Sequence, residues 1–344
     1  MLTNNLKNAY ALCTAAEKRS IFLLTAGSLL LSVSETLSIG LIIPIMSLFA
    51  DPGKLTSPGL LREIFLFSKA ASATQFLILL VIVTVLVFTL RCAYTIFMTY
   101  KQQQFVGNVY VRLTSAVLQS YLEKSYAFHL TNHSATLFKN VSAEVGQFTS
   151  GFLMPIIVII SETLILLGIF LFLFCVYPVL TVTLVFFFGI ISVFSHFAFK
   201  KKINRYSEER EKFAEDMYKY ATESLGAVKE ISVTHTQPYF VRRFSKATRV
   251  YTNAFVKFSV LSGLPRALFE VALMTAVLCG VLVSVILHKN PADLIPAMTV
   301  LGIASLRLIP SFSKIYSNTA LVQYYTRSMG IIFDVIKQAT TTHT

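Results

Sequence analysis

The sequence predicts an all-α, polytopic membrane protein with six long transmembrane helices. Of the 344 residues, 55% are hydrophobic and 14% are charged, which is too apolar for a soluble domain of this length. The apolar runs far exceed the roughly 10 residues of a tilted barrel strand, and only helices and closed barrels satisfy every backbone hydrogen bond in lipid. The 30 Lys and Arg are also concentrated in a few segments, as in proteins that are oriented in a membrane.

The first predicted span follows a short basic N-terminal segment, residues 1–19. The apolar run from Ile21 to Ala50 is too long for a signal-peptide core and lacks a clear small-residue cleavage site, so we expect it to be retained. The six predicted helices occupy approximately 20–50, 75–100, 152–176, 179–199, 260–287 and 294–325. The six-helix domain accordingly runs from 20 to 335, and a tail follows at 336–344.

The positive charge locates the two sides of the membrane. A formal charge of +13 would also suit nucleic-acid binding, but twelve of the 30 Lys and Arg fall within one connection, 200–250. The segments 1–19, 101–140, 200–250 and 327–344 together carry 21 Lys and Arg, against 4 in the three opposite connections. Both termini are therefore predicted to be cytoplasmic, and no nucleic-acid partner is expected.

The connections between the spans differ greatly in length. Only Tyr177 and Pro178 separate the third and fourth helices, and a proline after a long apolar run predicts a tight hairpin. The two cytoplasmic connections are much longer, and apolar residues such as Phe213 and Met217 recur there at helical spacing. These stretches predict helices that continue roughly 35 Å beyond the membrane and meet at polar turns.

Four short motifs, in this order along the six spans, resemble a known family. They are S-x-x-E-T-L-S-I-G-L-I-I-P at 32–44, L-R-C-A-Y at 90–94, L-P-R-A-L-F-E at 264–270 and S-L-R-L-I-P-S at 305–311. The whole pattern resembles the transmembrane half of ABC exporters, and these motifs resemble the bacterial lipid-linked oligosaccharide flippases of protein glycosylation. Exporters of lipid A, peptides or drugs remain open as alternatives.

The resemblance implies several partners. It implies that two coupling regions, 127–135 and 227–236, dock into an ABC ATPase domain, which would bind ATP and Mg²⁺. It also implies a second transmembrane half, as a homodimer, in a bacterial inner (plasma) membrane. Segment 52–67, with apolar residues among polar ones, would lie as an amphipathic helix on the outer leaflet.

The sequence itself contains no nucleotide-binding domain. No G-x-x-x-x-G-K-[ST] phosphate-binding motif occurs in it. In the family that the chain resembles, the ATPase domain normally follows the sixth span. We therefore expect that the ATPase is a separate subunit, that it belongs to a longer protein, or that it has been lost.

Three arginines inside apolar stretches are the strongest candidates for a functional site: Arg91, Arg266 and Arg307. An intramembrane arginine costs several kcal/mol unless it faces water, an anion or a partner. Counting residues from the outer boundary places Arg307 near the midplane, Arg91 deeper and Arg266 close to the inner surface, as a ladder of positive charge.

Two interpretations of these arginines stay open. The first is a path for an anionic headgroup, because guanidinium groups bind phosphate oxygens. The second is internal pairing with acids of the same spans. Those acids are Glu35, Glu162 and Glu270. Arg266 and Glu270 have the i, i+4 spacing of a helical ion pair.

Other residue types point to no chemistry. The four cysteines are widely separated and predict neither disulfides nor a metal cluster. His129 and His133 are spaced as metal ligands can be, but no third ligand is near them in the sequence, so no metal site is expected. No catalytic residues are predicted. The function alternatives to a lipid flippase are an exporter of peptides or hydrophobic drugs and a non-transporting scaffold or truncated remnant.

Overall fold

The computed structural model describes residues 9, 11–50, 63, 65–66, 72–176, 178–286 and 291–342. The predicted all-α fold is confirmed, because the described part of the chain is helical and contains no strand. The helices are α1 (Ala15–Gly40), α2 (Ile42–Ala50), α3 (Ala73–Leu122), α4 (Tyr126–Thr131), α5 (Ser134–Val176), α6 (Pro178–Gly226), α7 (Val228–Thr234), α8 (Gln237–Ile286) and α9 (Pro291–Thr342). Within those residues, five helices are long and apolar enough to cross a membrane.

Local sequence explains where the first helix begins and ends. Thr14 caps α1 by accepting a hydrogen bond from the backbone N–H of Glu17 at 3.3 Å, and the Glu17 carboxylate accepts the Thr14 N–H at 2.8 Å. This reciprocal capping box satisfies two amide groups that have no partner within the helix. The helix is interrupted after Gly40, because the ring of Pro44 clashes with the carbonyl four residues earlier.

Several helices are far longer than a membrane requires. About 20 residues cross the hydrocarbon core, whereas α6 has 49 residues and α8 has 50. At about 1.5 Å per residue, each of these helices extends roughly 40 Å beyond the bilayer. α6 and α8 pack against each other along this length and also contact α9. The two short helices α4 and α7 connect the ends of the long ones.

The helix α5 is locally widened at two points. Residues Asn140–Glu144 and Thr149–Leu153 each form a turn of π-helix. Between α5 and α9 the backbones approach closely, since a Cβ atom on Gly151 would collide with the ring of Tyr325. The π turns change the direction in which the following side chains point and so accommodate this contact.

The core continues from the membrane into the extended part of the helices. α1 packs against α3 and α5, and α5 packs against α9. One apolar cluster joins the extensions of α3, α5 and α9 through residues such as Leu113, Phe152 and Ile332. A second joins α6, α8 and α9, where the rings of Phe258 and Tyr324 stack 4.0 Å apart. The extensions are therefore packed structural elements.

Two predicted segments, 52–67 and 336–344, lie partly outside the described residues. Segment 52–67, predicted as an amphipathic helix, lies outside the described residues except for 63, 65 and 66, where Phe65 packs edge-on against Phe76. Within the predicted tail at 336–344, the structure shows that α9 continues as a helix to Thr342.

Candidate functional site

A row of small and polar residues on α1 allows close contact with α5. Ser32 donates a hydrogen bond to the backbone carbonyl of Leu164 at 2.7 Å, and a Cβ atom on Gly168 would collide with the Ser32 hydroxyl. Small residues of this kind let transmembrane helices approach one another. The next residue on this side of α1, Glu35, is thereby enclosed in the helix bundle with 1% of its side chain exposed.

Two of the predicted arginines meet at Glu35. The Nη2 atom of Arg91, from α3, lies 2.9 Å from Oε1 of Glu35, and Nη2 of Arg307, from α9, lies 3.0 Å from the same oxygen. A carboxylate held in the membrane interior therefore has two guanidinium partners from different helices. Arg91 also lies over the ring of Phe88, with its Cζ atom 5.3 Å from the ring centroid.

A second carboxylate extends this site along α9. The Glu162 side chain on α5 accepts hydrogen bonds at 2.7 Å from both Ser311 and Lys314, and its Oε2 lies 3.6 Å from Nη2 of Arg307. Arg307 thus connects the two acids. We call Glu35, Arg91, Glu162, Arg307 and Lys314 the charged cluster.

The acids and bases of the charged cluster differ in exposure. The side chains of Glu35 and Glu162 are 1% and 7% exposed, whereas those of Arg91, Arg307 and Lys314 are 22%, 20% and 51% exposed. Three cations against two anions leave an excess of one positive charge. The acids therefore hold the cations from within the protein, and the accessible side of the cluster is cationic.

Neutral hydrogen bonds fix the helices that carry the charged cluster. The hydroxyl groups of Ser28 on α1 and Ser161 on α5 lie 2.7 Å apart, and Gln102 of α3 donates its Nε2–H to Ser161 at 3.0 Å. Because Ser161 precedes Glu162, this buried triplet sets the positions of α1, α3 and α5 next to the acids. Buried polar networks of this kind are rigid when every member has a partner.

The third predicted arginine, Arg266, lies apart from the charged cluster. Arg266 pairs with Glu270 on its own helix, α8, through an Nε–Oε1 contact of 3.1 Å, and the two side chains are 66% and 53% exposed. The guanidinium groups of Arg91 and Arg307 meet at one oxygen of Glu35. The structure thus places two arginines in one cluster and Arg266 apart from it, which differs from the predicted three-step ladder, because counting residues along each helix does not show which side chains reach one another.

Sequence reasoning missed Lys314 and Ser311. Both belong to one stripe of α9, since Arg307, Ser311 and Lys314 follow one another at i, i+4 and i+7. This helical spacing was the available signal. Lys314 lies about 20 residues into the predicted sixth span, roughly the length that crosses the hydrocarbon core, and a lysine at that depth usually reaches the interface and calls for no partner.

The connections between the extended helices carry exposed apolar side chains. Tyr126 and Leu130 of α4 are 77% and 70% exposed, and Val233 of α7 is 74% exposed. His129 is also exposed, and its Nε2 lies 3.0 Å from the backbone carbonyl of Tyr121. In the part of the chain that the structure describes, no group of three or more His, Cys, Asp or Glu could hold a metal ion.

These features define a multi-pass, all-α membrane domain of the exporter type, with helices that extend well beyond the bilayer. The sequence profile of the ABC transporter transmembrane region matches residues 20–321. The chain therefore belongs to the ABC transporter transmembrane family, and it is the membrane-spanning part of a transporter. A search of curated protein sequences finds no match to the chain.

Proposed function

We propose that this chain is the transmembrane half of an ATP-driven exporter that moves a lipid-linked anionic substrate, such as a lipid-linked oligosaccharide, across the membrane. The observation that carries the proposal is the charged cluster. Its acids are buried and its three cations are partly exposed, which is the arrangement that an anion-binding site in a membrane requires.

The cluster has unused capacity for an anion. A guanidinium group has five N–H donors, and the ion pairs with Glu35 engage one terminal nitrogen each of Arg91 and Arg307. Their remaining donors and the ammonium group of Lys314 can bind the oxygen atoms of a phosphate or pyrophosphate. Glu35 and Glu162 keep the cations in place when no substrate is bound, which offsets the cost of charge in the membrane.

The energy would come from an ATPase domain outside residues 1–344, in the same polypeptide or in a separate subunit. The exposed apolar residues of α4 and α7, which lie within or beside the predicted coupling regions 127–135 and 227–236, suit docking into such a domain, which would bind ATP and Mg²⁺. A second copy of the chain would complete the translocation path. The distribution of Lys and Arg favours a cytoplasmic location for both termini, and the resemblance to the bacterial flippases implies a bacterial inner membrane.

The test is transport by the assembled transporter in proteoliposomes, with a fluorescent lipid-linked pyrophosphate substrate. Lys314→Gln and Arg307→Lys are expected to lower the transport rate at least tenfold while ATP hydrolysis continues. Both variants keep side-chain bulk, and Glu162 keeps hydrogen-bond partners in each. Arg266→Gln is the matched control, because its ion pair is exposed and separate from the cluster.

The alternatives give different results. An exporter of peptides or hydrophobic drugs would transport such compounds equally well with and without these substitutions. A non-transporting scaffold would bind its partner without any ATP-dependent movement of substrate. Unchanged transport of the anionic substrate in both cluster variants would refute the proposal and assign the arginines to internal pairing.

A further inference from the structure

The negative charge of Glu35 depends on its two arginine partners. Its side chain is 1% exposed, and its Oε1 lies 2.9 Å from Arg91 and 3.0 Å from Arg307. Its Oε2 is also buried and has no hydrogen-bond partner among the described residues. A buried carboxylate is stable as an ion only while cations or hydrogen-bond donors compensate it, so Glu35 stays ionised only while both arginines serve it.

Glu162, the second acid of the charged cluster, has more support. It accepts hydrogen bonds at 2.7 Å from the Ser311 hydroxyl and from the Lys314 ammonium group, and it lies 3.6 Å from Arg307. The Ser311 hydroxyl is neutral, so a bound anion does not compete for it. Glu35 is therefore the acid that loses more when an anion competes for the arginines.

The charged groups next to Glu35 come from three helices. Among the described residues they are Arg91 of α3, Arg307 of α9 and Glu162 of α5. The helix α2, which also packs against α1, contains no titratable residue. The phenol of Tyr94 on α3 is neutral and donates its hydrogen bond to the Gly27 carbonyl. Any change of protonation next to the arginines therefore falls on the two acids.

The proposed substrate would change the charge of this site. The charged cluster holds three cations and two acids, an excess of one positive charge. A diphosphate that links a lipid to a sugar carries one negative charge on each phosphate, so its binding would leave an excess of one negative charge. An uncompensated charge in the membrane interior is costly, and when two anions share a site the charged form of one is disfavoured. One proton on a carboxylate restores neutrality.

We infer that Glu35 takes up one proton when the anionic substrate binds to the charged cluster. The inference rests on the proposed function, because the anion is the diphosphate of the substrate. The phosphate oxygens bind the guanidinium groups of Arg91 and Arg307, and a proton from the solvent neutralises the Glu35 carboxylate. The resulting carboxyl group donates its O–H to a phosphate oxygen. When the anion leaves, the proton returns to the solvent and both ion pairs form again.

This exchange makes the affinity for the substrate depend on pH. The bound state holds one proton more than the free state, so affinity rises as the pH falls, by up to about tenfold per pH unit. Glu35→Gln has no carboxylate to neutralise at this position. It should therefore bind the substrate at least as tightly as the wild type does, and equally well at every pH.

The test measures binding and proton uptake together, with the full chain in phosphatidylcholine nanodiscs. The ligand is a short-chain isoprenyl diphosphate sugar, whose phosphates do not titrate near neutral pH, so the protons exchanged belong to the protein. A pH-indicator dye in weakly buffered solution counts the protons taken up per ligand bound. We expect roughly half to one proton per ligand in the wild type near neutral pH, and a Kd that rises at least tenfold from about pH 6 to about pH 8.

Two variants and one spectrum assign the proton. Glu35→Gln should bind the ligand without proton uptake. Glu209→Gln is the matched control, because it removes a carboxylate from the ion pair with Arg205, which lies within α6 and outside the cluster; its uptake should equal that of the wild type. Infrared difference spectra of the wild type need no variant, and ligand binding should produce the C=O stretch of a neutral carboxylic acid.

The possible failures can be told apart. Binding without proton uptake, or uptake that persists in Glu35→Gln, would overturn the inference and leave the anion site in place. Absence of a new C=O stretch in the wild type on ligand binding would likewise count against a neutral Glu35. If the wild type did not bind the ligand at any of these pH values, the inference would fail together with the proposed function.

Discussion

Arg91 and Arg307 contact the same oxygen atom of Glu35, at 2.9 and 3.0 Å, although they come from helices α3 and α9. One carboxylate therefore joins three helices, since Glu35 itself belongs to α1. Any movement that separates α9 from α1 and α3 must break one of these ion pairs. In the proposed exporter, an incoming anion would replace Glu35 as the partner of either arginine, and this exchange would couple the binding of substrate to the movement of helices.

Neutralising Glu35 tests its part in the stability of the bundle. Glu35→Gln keeps the shape of the side chain but leaves two arginines without their shared anion, and breaking a buried pair in this way typically costs about 3 to 5 kcal/mol. We expect a lower temperature of thermal unfolding in detergent, and a larger stabilising shift than in the wild type when pyrophosphate is added.

Glu208→Gln is the control for this experiment, because Glu208 is exposed on α6 and such substitutions usually change stability by less than about 0.5 kcal/mol. If Glu35→Gln unfolded at the same temperature as the wild type, Glu35 would not be holding the arginines in place.

Arg210 provides a second prediction, outside the membrane. Its side chain is buried between the rings of Tyr324 and Tyr325, at 5.0 and 4.5 Å from their centroids, and it donates a hydrogen bond to Gln147. Gln147 also accepts a hydrogen bond from Ser328 at 3.0 Å. Arg210 therefore ties α6 to α5 and α9 through stacking and hydrogen bonds that a lysine cannot reproduce.

We expect Arg210→Lys to loosen this contact by about 1 to 2 kcal/mol. Hydrogen exchange should increase by roughly tenfold or more in the extended parts of α6 and α9 and stay unchanged in the apolar half of α5. Arg205→Lys serves as the matched control, since Arg205 is 76% exposed and pairs only with Glu209 of its own helix among the described residues. Equal exchange in both variants would mean that Arg210 contributes no more than a surface arginine.

The sequence was sufficient to predict the helices but not the contacts among the charged side chains. Lipid leaves the backbone few choices, so long apolar runs predict helices directly. The ion pair of Arg266 and Glu270 could also be predicted, because the two residues are about one helix turn apart. The shared role of Glu35 could not be predicted, since its partners are 56 and 272 positions away along the chain and meet it only through helix packing.

The burial of the charged side chain of Arg210 was also not evident from the sequence. Arg210 lies among twelve Lys and Arg within 200–250, and most charges in such a run are solvated, so nothing distinguished it from Arg205. Only the approach of α9 places two tyrosine rings around it.

Gly168 gives a prediction about helix packing in the membrane. A Cβ atom there would collide with the Ser32 hydroxyl, so Gly168→Val should force α5 away from α1 and destabilise the protein by about 1 to 3 kcal/mol or more through overpacking. Gly189→Val on α6 is the control, because a Cβ atom there meets no atom within 4 Å. Size-exclusion profiles in detergent and thermal unfolding should separate the two, and equal behaviour would contradict the close contact.

The exposed apolar residues of the cytoplasmic connections give the last prediction. Leu130 of α4 and Val233 of α7 are 70% and 74% exposed, and Leu130 lies one helix turn from the exposed Tyr126, so these connections offer apolar surface that a partner can cover. A charge at either position should oppose docking of an ATPase domain, because a buried, unpaired carboxylate costs several kcal/mol.

We expect Leu130→Glu and Val233→Glu each to lower substrate-stimulated ATP hydrolysis at least tenfold in the assembled transporter. Thr222→Glu, at an exposed polar position of α6 outside both coupling regions, is the control for added charge. Association measured by co-purification, or by crosslinking if both parts lie in one polypeptide, should fall in parallel. Full stimulation in both variants would mean that these side chains face solvent throughout the cycle.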